Sequence, residues 1–272
     1  SLSIMNKKRL YVILVSILVL QLTVSSTFSQ RLKNKSESTL IQKALPVWVA
    51  GREKEMNLNL GFRGSFHAEK GQKATLKITA STLYRLFING EFVGSGPART
   101  AHGYFRVDEY DLGDHIKTGN NIVAIEVAGY NINTYYTLDQ PSFLLSEVNI
   151  DGKVVLATGN ASSFEAFQLE ERLQKVERYS FQRPFTEYYR MKEGYDKWRY
   201  STYIPLKKLE LSSSLSINLL PRNVLLPDFL KQNPVSVYLS GTVKKVQPEK
   251  YYKDRSLVNI GKKLKGYKES EL

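Results

Sequence analysis

Cysteine is absent from the 272 residues. Disulfides and thiolate metal sites are thereby excluded, so stability must come from an apolar core, which a chain of this length can bury. Histidine is scarce. None of His67, His102 and His115 has a partner at metal-ligand spacing, and no metal site is expected from them. A calcium site stays open, although no dense acidic loop demands one. No dinucleotide fingerprint occurs: Gly94, Gly96 and Gly103 miss the spacing, no helix start follows them, and they read as bends. No cofactor is expected. Long helical periods are missing too, the helical candidates being a single turn at 114–117 and part of 169–176.

What the chain does have is Tyr (17) and Phe (12), residues that fit pleated, half-buried surfaces. Its 42% hydrophobic and 24% charged content is that of a folded globular protein. The formal net charge is +13, but the excess sits at the two ends, in Lys7, Lys8 and Arg9 and in the lysines from Lys231 onward. With no clustered basic helix and no recognition motif, nucleic acid is not an expected partner.

The first residues read as an address. Met5 is the expected start, followed by a positive region (Lys7, Lys8, Arg9), an apolar run from Leu10 to Leu20, and small residues at Thr27 and Ser29. This is the pattern of a secretory signal peptide over 1–29. The apolar run is too short for a comfortable membrane span, so no stable membrane insertion is expected after cleavage. The protein is expected to be exported, to the periplasm or to the cell envelope and exterior. Residues 30–45 read as a polar leader.

From Pro46 the period becomes two. Leu58, Leu60 and Phe62 alternate with polar or small residues, as do Ala74, Leu76, Ile78 and Ala80. The run Leu83–Ile88 enters Asn89-Gly90, and Phe143–Ile150 enters Asp151-Gly152; both are tight hairpin turns. The expected fold is all-β, a sandwich over 46–200, then a linker or crossing segment over 201–234 punctuated by Pro221, Pro227 and Pro234. Residues 235–272 are expected to start a second, incomplete β-rich segment, with a strand pair turning at Ser240-Gly241 and a Lys-rich tail.

The stretch 86–94 (LFINGEFVG), the corner at 104–112 (YFRVDEYDL) and 119–127 (GNNIVAIEV) together resemble the galactose-binding-like jelly-roll domain found at the front of many glycoside hydrolases. The longer wording at 95–112, 124–148 and 178–191 resembles the N-terminal region of bacterial α-L-rhamnosidase-type enzymes, from about Val47 to about Asp228. That resemblance implies β-sandwich domains ahead of an α/α-barrel that carries the catalytic carboxylates. Nothing in this sequence resembles such a barrel, so no catalytic residue carries over, and the chain is expected to be a non-catalytic front part of a larger hydrolase. Its expected partners are its own catalytic domain or a rhamnose-containing glycan. The alternative is a free-standing carbohydrate-binding protein of the envelope.

Glycoside hydrolysis needs two carboxyls about 5–10 Å apart. The cluster Asp108, Glu109 and Asp111 is instead expected to shape a turn, with Asp108 and Asp111 bonding backbone, and Glu126 is expected to be a paired or edge-facing carboxylate. The best binding candidates follow a strand: Tyr130, Asn131, Asn133, Tyr135 and Tyr136 supply stacking faces and hydroxyl partners, with Arg99 and His102 in a nearby loop. A surface loop that packs on another domain is the competing reading, and the same two readings apply to 178–190, where arginines interleave with aromatics.

Overall fold

The computed structural model describes residues 40–159, 164–178, 180–213, 215–230, 232–242, 244 and 264–272. The signal peptide, residues 30–39 of the leader and most of the Lys-rich tail lie outside these residues. Residues 1–40 and 41–272 are separate units, and the second is the one described here.

Among the described residues twelve strands run in chain order: β1 (Trp48–Val49), β2 (Leu58–Ala68), β3 (Ala74–Ser81), β4 (Leu83–Ile88), β5 (Glu91–Gly96), β6 (Tyr104–Asp111), β7 (Gly119–Gly129), β8 (Phe143–Ile150), β9 (Lys153–Ala157), β10 (Phe164–Gln168), β11 (Leu211–Ser212) and β12 (Asn218–Pro221). They form two five-stranded sheets, ordered β10-β2-β7-β4-β5 and β12-β6-β3-β8-β9, and a two-stranded patch of β1 and β11. Every pairing is antiparallel except that of β12 with β6. The all-β sandwich expected from the sequence is the fold.

The alternation explains the two layers. On β2, Leu58, Leu60, Phe62 and Phe66 face inward to meet Leu76, Ile78, Leu86, Ile125 and Val148 in one core. Each such fully buried side chain contributes roughly 1.5–3 kcal/mol of burial free energy. Both hairpins are type I′ in character: Asn89 and Gly90 have φ of 51° and 87°, and Asp151 and Gly152 have 48° and 83°.

The glycines of β5 need correction. Gly94 and Gly96 were expected to bend the chain, yet β5 runs through both. A Cβ on Gly94 would stand 2.5 Å from Tyr110 Cε1, and one on Gly96 2.2 Å from Asp108 Oδ2. They are bare because a buried polar cluster fills the space above them. Gly103, with φ of 77°, is a true bend.

Neither helical candidate forms an α-helix. Residues 113–115 make a turn held by Leu112, whose carbonyl accepts the His115 and Ile116 amides, and 169–176 is a turn and a bridge from Arg172 to Tyr189. The expected crossing segment is sewn to the sandwich by β11 and β12 rather than lying free. Val235–Gly241, expected to open a strand pair, holds no strand among the described residues, and Val235, Val237 and Leu239 stand 101%, 83% and 83% exposed.

The start of the fold also lies earlier than residue 46. The outer face of β8 presents Phe143, Leu145 and Glu147, and Ile41, Ala44, Leu215, Ile217 and Leu219 cover its apolar part. Glu147 is wholly buried, and its carboxylate accepts the amides of Gln42 (3.0 Å), Lys43 (2.9 Å) and Ala44 (3.2 Å). Charge-assisted bonds to three consecutive amides offset the cost of burying that carboxylate and fix the incoming chain on the sheet. Glu147→Ala should lower stability by about 2–3 kcal/mol, read as a drop in urea midpoint with unchanged slope, and Glu147→Gln by less. An unmoved midpoint in Glu147→Ala would show that residues 42–44 are not anchored there.

Candidate functional site

The site begins where β7 ends. A Cβ on Gly129 would fall 2.6 Å from Ser142 Oγ and 2.9 Å from the Leu58 carbonyl, so the backbone passes closely there. Tyr130 and Ile132 then turn inward and pack with Ala128 and Phe185. Tyr130 and Asn131 are 4% and 2% exposed, which removes both from the sugar-contacting set expected from the sequence. They are structural. Tyr130 lies in a small apolar cluster, where burial raises its phenol pKa above the ordinary value, and Asn131 holds a left-handed turn at φ 46°.

The loop beyond is bonded to itself. Thr134 Oγ1 accepts the amides of Tyr136 (3.1 Å) and Thr137 (2.9 Å), Thr137 Oγ1 donates to the Ile132 carbonyl (2.8 Å), and Asn133 Oδ1 accepts the Asp139 amide (2.8 Å). Asn133 therefore spends its oxygen on the loop. This closure raises Tyr135 out to 68% exposure, its ring edge-on to Phe181 at 5.5 Å, with Tyr136 half-buried beside it.

Arg99 and Tyr136 meet: the guanidinium lies 5.4 Å from the ring centroid, within cation–π range. Together with Tyr104, Tyr135, Gln140 and Pro97 they line an open cleft of about 230 Å³. Arg106 steadies its rim by donating Nε to the Arg99 carbonyl at 3.0 Å. His102 is exposed and lies outside the lining. Thus the structure gathers Arg99, Tyr135 and Tyr136, sets His102 and Asn133 beside them in supporting loops, and buries Tyr130 and Asn131. Tyr104 and Gln140 were missed: each comes from a different strand or loop, and no local pattern joins them to Tyr135.

Arg178, expected only as one arginine among the aromatics of 178–190, is 9% exposed as a residue. It donates to four carbonyls, those of Asn133 (2.6 Å), Arg183 (3.0 Å), Lys265 (3.0 Å) and Phe181 (3.2 Å). Burial lowers its pKa from the ordinary value. It ties the 131–139 loop to the 180–185 turn that presents Phe181.

The carboxylates are in structural pairs. Asp108 was expected in a turn, but it is wholly buried in β6, accepting from Tyr84 Oη and from Arg222 Nη1 at 2.7 Å. Asp111 does shape a turn, accepting the Gly113 amide at 2.9 Å, and Glu109 is exposed. Glu126 is paired as expected: Arg199 Nε and Nη2 reach one oxygen at 2.9 and 2.5 Å, and Arg85 Nη2 lies 2.5 Å from the other.

No protein-family model and no curated protein matches the chain. Solved structures do. A GH78 family rhamnosidase of Bacillus sp. GL1 is similar at 27% identity and a TM-score of 0.59, over 68% of this chain and 20% of that one. An α-L-rhamnosidase from Aspergillus terreus matches at 21% identity and a TM-score of 0.48, over 65% of this chain and 22% of its own. A lectin from Pleurotus ostreatus matches at 17% and 0.32, over 60% of this chain and 46% of its own. The chain thus resembles part of an α-L-rhamnosidase, spanning about one fifth of the length of the rhamnosidases it matches.

Arg178→Met should loosen the cleft loop without opening the sandwich. In hydrogen exchange the amides of Tyr136 and Thr137 should lose about tenfold protection or more, as expected when a buried charged donor to several carbonyls is removed, while β2 and β7 stay protected. Unchanged exchange at both amides would detach Arg178 from the loop.

Proposed function

We propose that this chain is a non-catalytic accessory β-sandwich of an exported, α-L-rhamnosidase-like glycoside hydrolase, one that braces the catalytic domain and contacts glycan through the Arg99–Tyr135–Tyr136 cleft. The observation that carries this reading is the similarity to the Bacillus sp. GL1 rhamnosidase at 27% identity over 68% of the chain. The cleft supports the second half of it. Sugars present flat C–H faces and hydroxyl edges, and Tyr135 offers an exposed ring while Arg99 and Gln140 offer polar groups at its side. Of the carboxylates considered for catalysis, Asp108 and Glu126 are locked in buried ion pairs and Asp111 is used in a turn, so their lone pairs serve the fold. Export rests on the charge and apolar pattern of residues 1–29, and N-terminal sequencing of the secreted protein should begin at Gln30.

A second reading keeps the glycan contact and drops the catalytic partner: a free-standing carbohydrate-binding protein. The fact that favours it is that Tyr135 stands 68% exposed at the cleft, an aromatic face open to solvent. Retention of the chain alone on an immobilised glycan would favour it. Retention that requires an added catalytic domain would favour the accessory role.

Purified protein incubated with 4-nitrophenyl α-L-rhamnopyranoside should release no nitrophenol above the buffer rate, and steady release would defeat the non-catalytic reading. In calorimetric titration with a rhamnose-containing oligosaccharide, Tyr135→Ala and Arg99→Ala should each weaken binding about tenfold, the loss of roughly one stacking or cation contact. Absence of any heat with the unaltered protein would remove the glycan contact.

A further inference from the structure

The outer face of the sheet β10-β2-β7-β4-β5 carries a second, larger cleft. Its floor is the outward side of β4 and β7, which presents Arg85 and Phe87 from one strand and Ala124, Glu126 and Ala128 from the other. Residues 169–172 and 187–199 fold across that face. They pack Leu169 and Trp198 on Phe87 and Ala124, and they leave a space of about 550 Å³ framed by Arg85, Glu171, Arg172, Glu187, Tyr189 and Tyr195. This falls within the range of about 300–1,000 Å³ common for small-ligand sites. A neighbouring hollow of about 170 Å³ shares Arg85, Arg172, Glu187 and Tyr189 with it and reaches down to Glu126 and Ser95.

The walls are fixed from beneath. Glu126, with its side chain 5% exposed, holds Arg199 through two bonds to one oxygen and Arg85 at the other. Arg199 also lies 4.5 Å from the Phe87 centroid and 5.6 Å from that of Tyr195, which orients the Tyr195 ring. Arg172, with its side chain 10% exposed, donates to Tyr130 Oη at 3.0 Å and to Glu187 Oε1 at 3.1 Å. Tyr189 donates to Glu187 Oε2 at 3.1 Å, and Arg172 lies over its ring. The aromatic rings and polar groups are thus held in place before any ligand arrives, which lowers the ordering cost of binding.

The charge balance selects the ligand. Three guanidiniums, Arg85, Arg172 and Arg199, face three carboxyls, Glu126, Glu171 and Glu187, and the cleft has no surplus of either sign to neutralise an ion. Donors and acceptors alternate around it, while Tyr189, Tyr195 and Phe87 supply apolar faces. A ring whose hydroxyls both donate and accept, and whose C–H face is apolar, matches that set. We propose that this outer-face cleft binds a neutral pyranose unit, as a second glycan site separate from the Arg99–Tyr135–Tyr136 cleft. Glu171 lines the cleft, and burial raises its pKa above the ordinary carboxyl value. Arg85, with its side chain 46% exposed, stands at the mouth while its guanidinium stays paired with Glu126.

The test titrates the full chain with methyl α-L-rhamnoside, methyl α-D-mannoside, methyl β-D-galactoside and methyl β-D-glucoside, with galacturonate as the charged control, followed by saturation-transfer NMR and calorimetry. At least one neutral glycoside should bind, and Tyr195→Ala and Glu171→Ala should each weaken it about tenfold while Tyr135→Ala leaves it unchanged. Tyr195→Phe, which keeps the ring and the fold, should retain binding and serves as the folded control. Loss of binding in Tyr135→Ala with retention in Tyr195→Ala would confine glycan to the first cleft and overturn the proposal without touching the accessory reading. Binding of galacturonate in preference to every neutral glycoside, or no binding of any neutral glycoside, would overturn it as well.

Discussion

A carboxylate wholly buried between two sheets sets terms for everything around it. Asp108 lies in β6 of one sheet and is reached from the other by the Tyr84 hydroxyl of β4, with the Tyr110 hydroxyl 3.0 Å from that of Tyr84. Its second oxygen is held by Arg222, just past β12. An isolated charge in that place would cost several kcal/mol, so each partner is a requirement of the fold. The consequences propagate outward. Burial drives the Tyr84 phenol far above its ordinary pKa and that of Tyr110 up to about 12, so both remain protonated and able to donate. Gly94 and Gly96 must lack side chains to admit the cluster. The chain beyond residue 200 must return to the sandwich to deliver Arg222, and β12 beside β6 is the form that return takes. A supposed linker becomes an edge strand because a buried charge in the middle of the domain needs a guanidinium.

That dependency marks the border of what the sequence makes legible. Period-two alternation places β2 and β3 correctly, because an alternating strand responds mainly to its own two faces. Asn89-Gly90 and Asp151-Gly152 announce their hairpins through positive φ at both residues, a local property. Gly94, Gly96 and Asp108 were misjudged for the opposite reason. A glycine that bends a chain and a glycine that makes room for a tyrosine from another strand look alike in sequence. An aspartate that shapes a turn and one that anchors a distant arginine do too. The alternation of Val235, Val237 and Leu239 has the pattern of a strand, but a strand also needs an edge to pair with, and the described residues show those side chains exposed.

The candidate site divides along the same line. Tyr130, Asn131, Asn133, Tyr135 and Tyr136 form a contiguous polar-aromatic run, and composition suggested that they act together. Their directions were invisible: Gly129 forces the close backbone passage that sends Tyr130 inward, and the Thr134–Thr137 bonds send Tyr135 outward. Arg99 was recoverable because its loop is dense in hydrogen-bonding groups. Arg178 showed in sequence only as one arginine among several aromatics, and its four carbonyl partners are scattered from residue 133 to 265.

The two clefts differ in the kind of support they have, and this has consequences for their behaviour. The Arg99–Tyr135–Tyr136 cleft rests on hydrogen bonds within its loop and on the guanidiniums of Arg178 and Arg106, whose partners are backbone carbonyls. The outer-face cleft rests on Glu126, a buried carboxylate shared by two arginines, and on the pairing of Arg172 with Tyr130 and Glu187. Removing one member of a buried ion pair leaves an uncompensated charge at a cost of about 3–5 kcal/mol, so that framework cannot relax by degrees. Both sets of side chains sit above the same strand, β7: its last residues launch the first cleft's loop, and Glu126, three residues before Gly129, anchors the second. A central strand buried on both faces gives each cleft a fixed base, with Tyr135 exposed at the tip of the first.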